Sequence, residues 1–407
     1  MELIAREEYL EWLEEWRDKD VIKVVTGVRR CGKSTLLRMF RDRLRAGGVD
    51  DEHIIAIDLE DLDNNALTGN PVVLYEHVMA RLPSSGVAYV FIDEVQVVPQ
   101  FEQAVASLGA KEKVDVYVTG SNASMLSSDL ATRLTGRYVE LSILPLSFAE
   151  WMSAQATHLS SLDAYRQFSQ WGSFPLTVQL QNSPDSVGQY LSGVLDTIVT
   201  RDVAVRHRVG KMSMLLSVVD FMADNIGNLT SARRIADALT LKGRKVTVPT
   251  IDSYLDGLTA SYLFYPVSRY DIRGKNRLDR IRKYYIVDPG LRTALLGRAS
   301  PDHGRVLENI VFLELRRRHA KVYVGKLDAT EVDFVVEWGQ RTQYIQVAQT
   351  VADLATLQRE LAPLRAIPDY NHRLLITLDP LPPQSHDGID QVYAPDWLQQ
   401  TSASELL

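Results

Sequence analysis

Residues 27–34 constrain the fold of this chain more than any other segment. They read G-V-R-R-C-G-K-S, follow an apolar run at residues 21–25 and precede a helix-compatible stretch that starts at Thr35. In a loop of this kind the backbone N–H groups surround a phosphate, and a Cβ at Gly27 or Gly32 would obstruct the turn or the ligand. The order of strand, glycine-bounded loop and helix predicts an α/β fold built around a phosphate-binding loop and argues against a chance match.

The loop predicts that a nucleoside triphosphate binds here. Lys33 would supply a cation for the phosphates, and the Ser34 hydroxyl would be a ligand for Mg²⁺. The expected nucleotide-binding set is Gly27, Val28, Arg29, Arg30, Cys31, Gly32, Lys33, Ser34 and Thr35. We also expect the loop to favour the thiolate of Cys31, the one cysteine, and so to make it sensitive to alkylation. The plainer interpretation is a small residue that the loop tolerates.

A second strand pattern ends in two carboxylates. Residues 87–92 form a continuous apolar run that is too short for a helix, and Asp93 and Glu94 follow it. Ligands of open parallel sheets lie at the carboxyl ends of the strands. We therefore expect Asp93 to hold the Mg²⁺ shell and Glu94 to polarise the attacking water. The alternative for Glu94 is a solvated residue after a strand.

Two further segments contribute candidates for hydrolysis. The strand-like run Val114–Val118 leads to Ser121 and Asn122, either of which could orient water near the γ-phosphate, and we take Asn122 as the candidate. Ordinary turn chemistry would also explain this Gly-Ser-Asn sequence. Arg137, preferred over Arg133, is the candidate cation that would reach the γ-phosphate of a neighbouring subunit. A salt bridge or a cation at a helix C-terminus is the alternative.

These motifs together resemble one family. The segments V-T-G-V-R-R-C-G-K-S, V-F-I-D-E-V-Q, V-T-G-S-N-A-S-M-L and G-R-Y-V-E-L-S-I-L-P-L-S-F-A-E-W are similar to those of prokaryotic AAA-type ATPases with a C-terminal domain of unknown function 4143. The likeness continues through W-G-S-F-P, Y-L-x-x-V, T-I-V-T-R-D-V and Y-Y-I-V-D-P-G-L-R, so it covers nearly the whole chain. The resemblance also makes ATP the expected nucleotide.

The resemblance implies an α/β P-loop AAA-type ATPase domain with a helical lid, followed by a winged-helix domain and an α/β domain similar to restriction endonucleases. We place the ATPase core at residues 1–145, the helical lid or linker at 146–212, the winged helix at 213–299 and a degenerate PD-(D/E)xK nuclease-like domain at 300–407. A length of 407 residues is sufficient for two or three domains.

Composition excludes several classes of protein. With 45 basic and 52 acidic residues the net charge is −7, so the whole chain is not a basic nucleic-acid binder. A hydrophobic fraction of 45% and a charged fraction of 24% are typical of globular proteins. The chain has neither a long apolar stretch nor a signal-peptide pattern, and we expect a cytoplasmic protein that does not enter a membrane.

A local basic patch is the evidence for DNA binding. Residues 214–267 show three helix patterns followed by strands, and the third helix, with Ile251, Tyr254, Leu255 and Leu258 facing inward, could enter a major groove. The basic residues near it that would contact DNA are Lys242, Arg244, Lys245, Arg273, Lys275 and Arg277, within a wing that also contains Arg269, Arg280, Arg282 and Lys283. A protein-interaction module with a flexible basic loop is the alternative.

The C-terminal segment carries an incomplete nuclease pattern. Glu308 lies on an apolar helix, Asp333 on a strand and Gln346 on the next strand, as in enzymes whose acids position Mg²⁺. The position of the assisting lysine is Ala348, and a lysine from elsewhere, such as Lys326, could replace it. We expect a vestigial site without cleavage activity.

The sequence therefore predicts an ATP-binding, Mg²⁺-dependent ATPase. It would act as a nucleotide-driven switch or remodeller whose C-terminal half binds duplex DNA or a protein client. A second copy of this chain, in a homo-oligomer, is the other expected partner. The alternatives are a nucleotide-gated nuclease effector with a divergent metal site and a slowly hydrolysing signalling scaffold.

Overall fold

The chain divides into two compact units. One comprises residues 1–143 with 260–262, and the other comprises residues 144–259 with 263–407. A computed structural model describes residues 3–123, 136–155, 159–181, 183–206, 209–297, 302–318 and 320–400, with the backbone only for residues 279 and 280.

The first unit is a parallel sheet with helices on both faces. Its strands are β1 (Ile22–Thr26), β2 (Ile54–Asp58), β3 (Ala88–Asp93), β4 (Val114–Gly120) and β5 (Tyr138–Ser142). Their order in the sheet is β2-β3-β4-β1-β5, and every neighbouring pair is parallel. Its α-helices are Glu7–Glu15, Lys33–Ala46, Pro71–Met79 and Phe101–Gly109, with 3₁₀ turns at Asp51–His53, Leu62–Leu67 and Val95–Val97.

Burial on both faces explains why β3 is a continuous apolar run and why β1 and β4 are mostly apolar. On one face, Val90 and Val116 join an aliphatic core that includes Leu74 and Val105 from two helices. On the other face, the Phe91 and Tyr117 rings stack with centroids 4.8 Å apart. Because all five strands are parallel, their carboxyl ends meet at one edge of the sheet, where the first sequence motifs were expected to converge.

The second unit begins with helices. They are Phe148–Ser153, Ser161–Trp171, Pro175–Leu180 and Pro184–Thr197, continued by a π-helix at Ile198–Val205, and then Met212–Asp224, Ala232–Leu241 and Val248–Ala260. The first of them starts at a capping box in which the side chains of Ser147 and Glu150 each bond the other's backbone N–H.

One sheet of eight strands follows in this unit. Its strands are β6 (Phe264–Asp271), β7 (Asn276–Ile286), β8 (Lys321–Leu327), β9 (Thr330–Trp338), β10 (Arg341–Ala348), β11 (His372–Thr377), β12 (Gln384–His386) and β13 (Ile389–Tyr393). Their order is β12-β13-β11-β10-β9-β8-β6-β7. The accompanying helices are Pro289–Leu296, His303–Arg317, Leu354–Arg365 and Ala394–Gln399.

The β6–β7 hairpin is longer than the wing expected from the sequence. Its base, from Phe264 to Ser268 on β6, pairs with β7, and Thr230 forms an isolated bridge to Arg282. Its outer part belongs to the large sheet, because Arg269–Asp271 pair in parallel with Val324–Lys326 of β8. This hairpin is therefore anchored along its length, unlike a wing that projects into solvent.

Among the described segments, none of the helices combines the length and the apolar character that crossing a bilayer requires.

Candidate nucleotide site

The loop after β1 has a backbone conformation that favours glycine at two positions. The φ angles of Gly27 and Gly32 are +150° and +104°, and the helix Lys33–Ala46 begins directly after Gly32. A Cβ on Gly27 would collide with the Ile143 carbonyl oxygen. The first N–H groups of a helix have no acceptor within the helix, so this loop and helix start form a site for an anion.

Lys33 crosses the loop and connects it to the second motif. Its Nζ donates to the carbonyl oxygens of Gly27 and Val28 at 3.1 and 3.3 Å. The same Nζ lies 3.4 Å from Glu94 Oε1, and both side chains are buried. The structure thus brings together the two residues that the sequence assigned to phosphate binding and to water activation.

Glu94 is held firmly in position at the end of β3. Its N–H donates to Thr119 Oγ1 at 2.9 Å, and its Oε2 accepts from Ser121 Oγ at 3.0 Å and from Gln96 Nε2. Burial by itself raises the pKa of Glu94, but Lys33, and then the bond from Gln96, bring it below its ordinary value. Glu94 is therefore a carboxylate at neutral pH and can accept a proton.

Asp93 lies beside the expected Mg²⁺ ligand of the loop. The Thr119 hydroxyl donates to Asp93 Oδ1, and Ser34 is hydrogen-bonded to the same carboxyl group. Burial raises the pKa of Asp93, and these two hydrogen bonds oppose that effect. Ser34 and Asp93 are thus close enough to share one hard cation.

Ser121, the other candidate beside Asn122, is hydrogen-bonded to Glu94. Both residues are fully buried after β4. Because Ile92 pairs with Val118, the β3–β4 register places the end of β4 beside Glu94, and Ser121 is the residue whose hydroxyl bonds it. Gln96, which sequence patterns did not single out, bonds the same oxygen.

The expectation of a reactive Cys31 thiolate is wrong. Cys31 is completely buried, and this burial raises the pKa of its thiol, which outweighs the opposite effects of Lys33 and Arg6. Its carbonyl oxygen accepts from Arg6 Nη1 at 3.2 Å. Arg6 is itself only 4% exposed, so a residue outside the motif braces the loop. No spacing rule in the sequence pointed to it.

Arg137 lies at the far end of the sheet from the loop. Its carbonyl accepts from the N–H of Ile22, at the start of β1, whereas the loop follows the other end of that strand. Five residues at ~3.3 Å each separate the two levels by about 16 Å. The exposed Arg137 is therefore too far from the loop of its own chain to contact a nucleotide bound there. Arg133 lies outside the described residues.

The expected nuclease residues lie around a lysine that the sequence analysis assigned to the basic wing. Lys283 Nζ is 2.8 Å from Glu308 Oε1, 2.8 Å from Glu331 Oε1 and 3.5 Å from Asp333 Oδ1. Burial, followed by the charge of Glu308, raises the pKa of Asp333 to about 7. The assignment of Lys283 to an exposed wing is wrong, because Lys283 lies on β7 and its side chain is buried within the second unit.

Gln346 is adjacent to this group, but its side-chain amide is already hydrogen-bonded at both ends. Its Oε1 accepts from the Asp333 N–H at 3.4 Å, and its Nε2 donates to Glu360 at 3.0 Å. The alternative lysine, Lys326, instead pairs across the strands with Glu331 in the β8–β9 ladder.

The expected DNA-contacting residues form two sets. Lys242, Arg244 and Lys245 are exposed after the helix Ala232–Leu241, and Arg244 Nη1 donates to the Ser213 carbonyl at 3.1 Å. In the hairpin, Lys275 is exposed, Arg273 forms an exposed ion pair with Asp328 at 2.9 Å, and Arg277 lies over the Tyr323 ring at 4.9 Å.

The helix Val248–Ala260 has an acidic exposed face. Ile251, Tyr254, Leu255 and Leu258 are buried, as the sequence predicted. The exposed positions include Asp252 and Asp256, and the helix contains no lysine or arginine. Two carboxylates on this face would repel DNA phosphates, which the residue spacing alone could have indicated.

Two family models match this chain. Residues 19–152 match an AAA domain, and residues 162–302 match a domain of unknown function numbered 8612. The second number differs from the 4143 suggested by the sequence motifs, so that part of the resemblance is not confirmed.

Similar proteins cover most of the chain. An uncharacterized protein of Haemophilus influenzae is 38% identical over 402 residues, which is 98% of this chain and 99% of that protein. An uncharacterized protein of Methanocaldococcus jannaschii is 28% identical over 345 residues, covering 80% of this chain and 74% of that one. A Walker-type ATPase of Pyrococcus abyssi has a similar fold, with a TM-score of 0.51 and 17% identity over 72% of this chain and 96% of the other.

Proposed function

This chain is a P-loop protein of the AAA ATPase type and belongs to one family with the uncharacterized Haemophilus influenzae protein, and from that premise we propose that it binds and hydrolyses ATP. The observation that carries the proposal is the contact of Lys33 with Glu94, a glutamate fixed by Ser121 and Gln96. A cation for phosphate and a base for water are thus 3.4 Å apart in one buried site.

The loop residues 27–35 bind the triphosphate in this proposal. Backbone N–H groups at the helix start attract the phosphates, and Lys33 adds a full positive charge. The carbonyl groups of Gly27 and Val28 hold Lys33 across the loop. Lys33 is therefore positioned before a nucleotide arrives, so less side-chain entropy is lost on binding.

The residues around Ser34 and Asp93 fit Mg²⁺. A hydroxyl and a carboxylate already in hydrogen-bond contact are oxygen ligands that this ion prefers, and the buried Asp93 carboxyl has a raised pKa that a cation would lower. When bound, Mg²⁺ would neutralise negative charge on the phosphates.

Glu94 performs the proton chemistry. Its Oε2 is occupied by bonds from Ser121 and Gln96, which fix the orientation of the carboxylate. Its Oε1 faces Lys33. When Lys33 instead contacts a phosphate, Oε1 becomes the acceptor for a proton of the attacking water.

The test is the hydrolysis of ATP by purified protein. Glu94→Gln should lower kcat about 100-fold or more while ATP still binds, because an amide cannot take the proton. Lys33→Ala should lower both binding and hydrolysis. Glu112→Gln, an exposed acid at the other end of the sheet, is the control and should behave as wild type. Equal kcat for wild type and Glu94→Gln would contradict the assignment of Glu94.

We propose that hydrolysis drives a switch whose partner is a protein. The helix that would enter a DNA groove carries Asp252 and Asp256 on its exposed face, and the hairpin beside it is anchored in a sheet. Duplex DNA remains the alternative partner, through phosphate contacts of Lys242, Lys245 and Lys275. Adding duplex DNA to the ATPase assay separates them: stimulation that is lost in the triple alanine variant of these lysines would favour DNA.

A further inference from the structure

Lys283 is a buried cation within a group of carboxylates that the nucleotide chemistry does not use. It lies near the end of β7, is 3% exposed, and contacts Glu308 of the helix His303–Arg317 and Glu331 and Asp333 of β9. Three separate elements thus direct their charged groups to one point. We propose that the Lys283 ammonium group takes the place of a metal ion in this cluster and closes it to divalent cations.

The donors of the ammonium group match the acceptors around it. A lysine has three N–H donors, and three carboxylate oxygens lie 2.8, 2.8 and 3.5 Å from Lys283 Nζ. A lysine that assisted water in a nuclease would need a donor directed at that water. Here three carboxylate oxygens surround the ammonium group, so Lys283 is a counter-ion and not a catalytic group.

The carboxylates are also bound by groups outside the cluster. Glu308 Oε1 accepts from the Tyr285 hydroxyl at 2.6 Å, and Asp333 Oδ2 accepts from the Val347 N–H at 2.9 Å. These bonds orient oxygens toward an ammonium and leave fewer lone pairs for a metal. Across the described segments of the chain, no three Asp, Glu, His or Cys side chains have an arrangement suited to a metal ion.

Gly227 packs closely against one side of the cluster. Gly227 has a φ of +70°, and a Cβ added there would lie 3.1 Å from Glu308 Oε2. The backbone of this glycine therefore covers the carboxylate directly. Because the side chains of Glu308 and Asp333 are largely buried, their negative charge needs a nearby cation, and Lys283 supplies it. The C-terminal half then serves as a binding or coupling module and not as a nuclease.

The inference is tested by Mn²⁺ binding to the full-length protein, followed through the electron paramagnetic resonance signal of free Mn²⁺. Every protein carries Asp93→Asn, so the proposed nucleotide-site metal does not contribute and the result is independent of the proposed ATPase. Without a further change, this reference protein should show no Mn²⁺ binding that depends on Asp333. Adding Lys283→Met, which keeps the side-chain length and removes the charge, should tighten Mn²⁺ binding roughly tenfold or more.

Controls separate the inference from its opposite. Lys283→Arg retains the positive charge and should behave as the reference, and Asp333→Asn added to Lys283→Met should abolish the new site. Mn²⁺ binding by the reference protein that Asp333→Asn removes would overturn the inference, and this comparison holds even if Lys283→Met does not fold. A folded Lys283→Met protein without increased Mn²⁺ affinity would also overturn it.

Discussion

Arg6 contacts the phosphate-binding loop from outside it. Its guanidinium donates to the Cys31 carbonyl and lies over the Tyr9 ring, 4.6 Å from the centroid. In a trans peptide the C=O and the following N–H point in opposite directions. A carbonyl of Cys31 held toward Arg6 therefore directs the N–H of Gly32 away from Arg6, as a loop that surrounds a phosphate requires.

Arg6→Ala should weaken ATP binding by about tenfold, the effect of losing one hydrogen bond from a charged donor. Since no group that touches the nucleotide is removed, kcat at saturating ATP should change much less than the dissociation constant. The control is Arg43→Ala, which removes an exposed ion pair with Glu7 in the same region and should have little effect. Binding is measured by titration with a fluorescent ATP analogue. Unchanged affinity in Arg6→Ala would show that the contact does not shape the loop.

Asp333 should make stability depend on pH. Its pKa is about 7 in the folded protein, above the ordinary value of 3.8, so the folded state holds this proton more tightly than the unfolded state. Its contribution to stability is therefore complete below pH 4 and is lost as the pH rises through 7. In urea titrations at pH 5 and pH 8, Asp333→Asn should reduce the difference between the two midpoints seen in wild type. If the midpoints at pH 5 and pH 8 differ equally in both proteins, Asp333 is not the source of the pH dependence.

At the scale of elements, one buried aspartate joins two of the motifs that identified the family resemblance. Asp288 caps the helix Pro289–Leu296 by accepting from the Leu291 N–H at 3.0 Å. The same carboxylate accepts from the N–H and hydroxyl of Ser173 at 2.6 and 2.8 Å. Gly172 has a φ of +75°, and a Cβ there would collide with Asp288. W-G-S-F-P and V-D-P-G-L-R are thus two parts of one hydrogen-bonded corner.

Asp288→Ala should lower the free energy of unfolding by about 3 kcal/mol, because buried N–H groups of Ser173 and Leu291 lose their acceptor. Asp353→Ala removes an exposed cap of the helix Leu354–Arg365 and should cost about 1 kcal/mol. Urea unfolding followed by tryptophan fluorescence measures both. If both variants lose the same free energy of unfolding, the burial of Asp288 does not strengthen its contribution to stability.

Sequence patterns predicted the first unit better than the second for a physical reason. A strand buried on both faces is mostly apolar, so β3, and β4 despite its Asp115, were recognised from their short apolar patterns. Within the expected helical lid or linker at residues 146–212, the helix Pro184–Thr197 continues as a π-helix at Ile198–Val205. There the hydroxyls of Thr197 and Thr200 bond carbonyls four residues earlier, and this competition with backbone N–H groups is not visible in an apolar periodicity.

Residues of the nucleotide site could be predicted from the sequence where they lie within one short motif or directly follow neighbouring strands. Lys33, Asp93 and Glu94 follow that rule. Arg6 does not, and Lys283 was placed in the wing because it ends a run of basic residues. The sequence does contain a signal, since the strand continues with the apolar residues Tyr284–Val287, and Lys283 shares the face of the buried Tyr285.

At the scale of the whole molecule, we propose that hydrolysis requires at least two chains, because Arg137 is too far from the loop of its own chain to act on a nucleotide there. Arg137→Ala should lower kcat about 100-fold if it stabilises the transition state on a neighbouring chain. Mixing it with Lys33→Ala protein should restore hydrolysis, because some sites then combine an intact loop with an intact arginine. The measurement is ATP turnover of the mixture against each variant alone. If the mixture is as inactive as its components, Arg137 has no role between chains.

The anchored hairpin also determines when the second unit can fold during synthesis. Strand β6 pairs with β8, whose residues are translated only after the helix His303–Arg317. Until then the outer edge of β6 has unpaired backbone groups that another nascent chain could bind. Ribosomes that stall before residue 327 would therefore release chains with an exposed strand edge, and these are the products that the cell's quality-control machinery would have to remove.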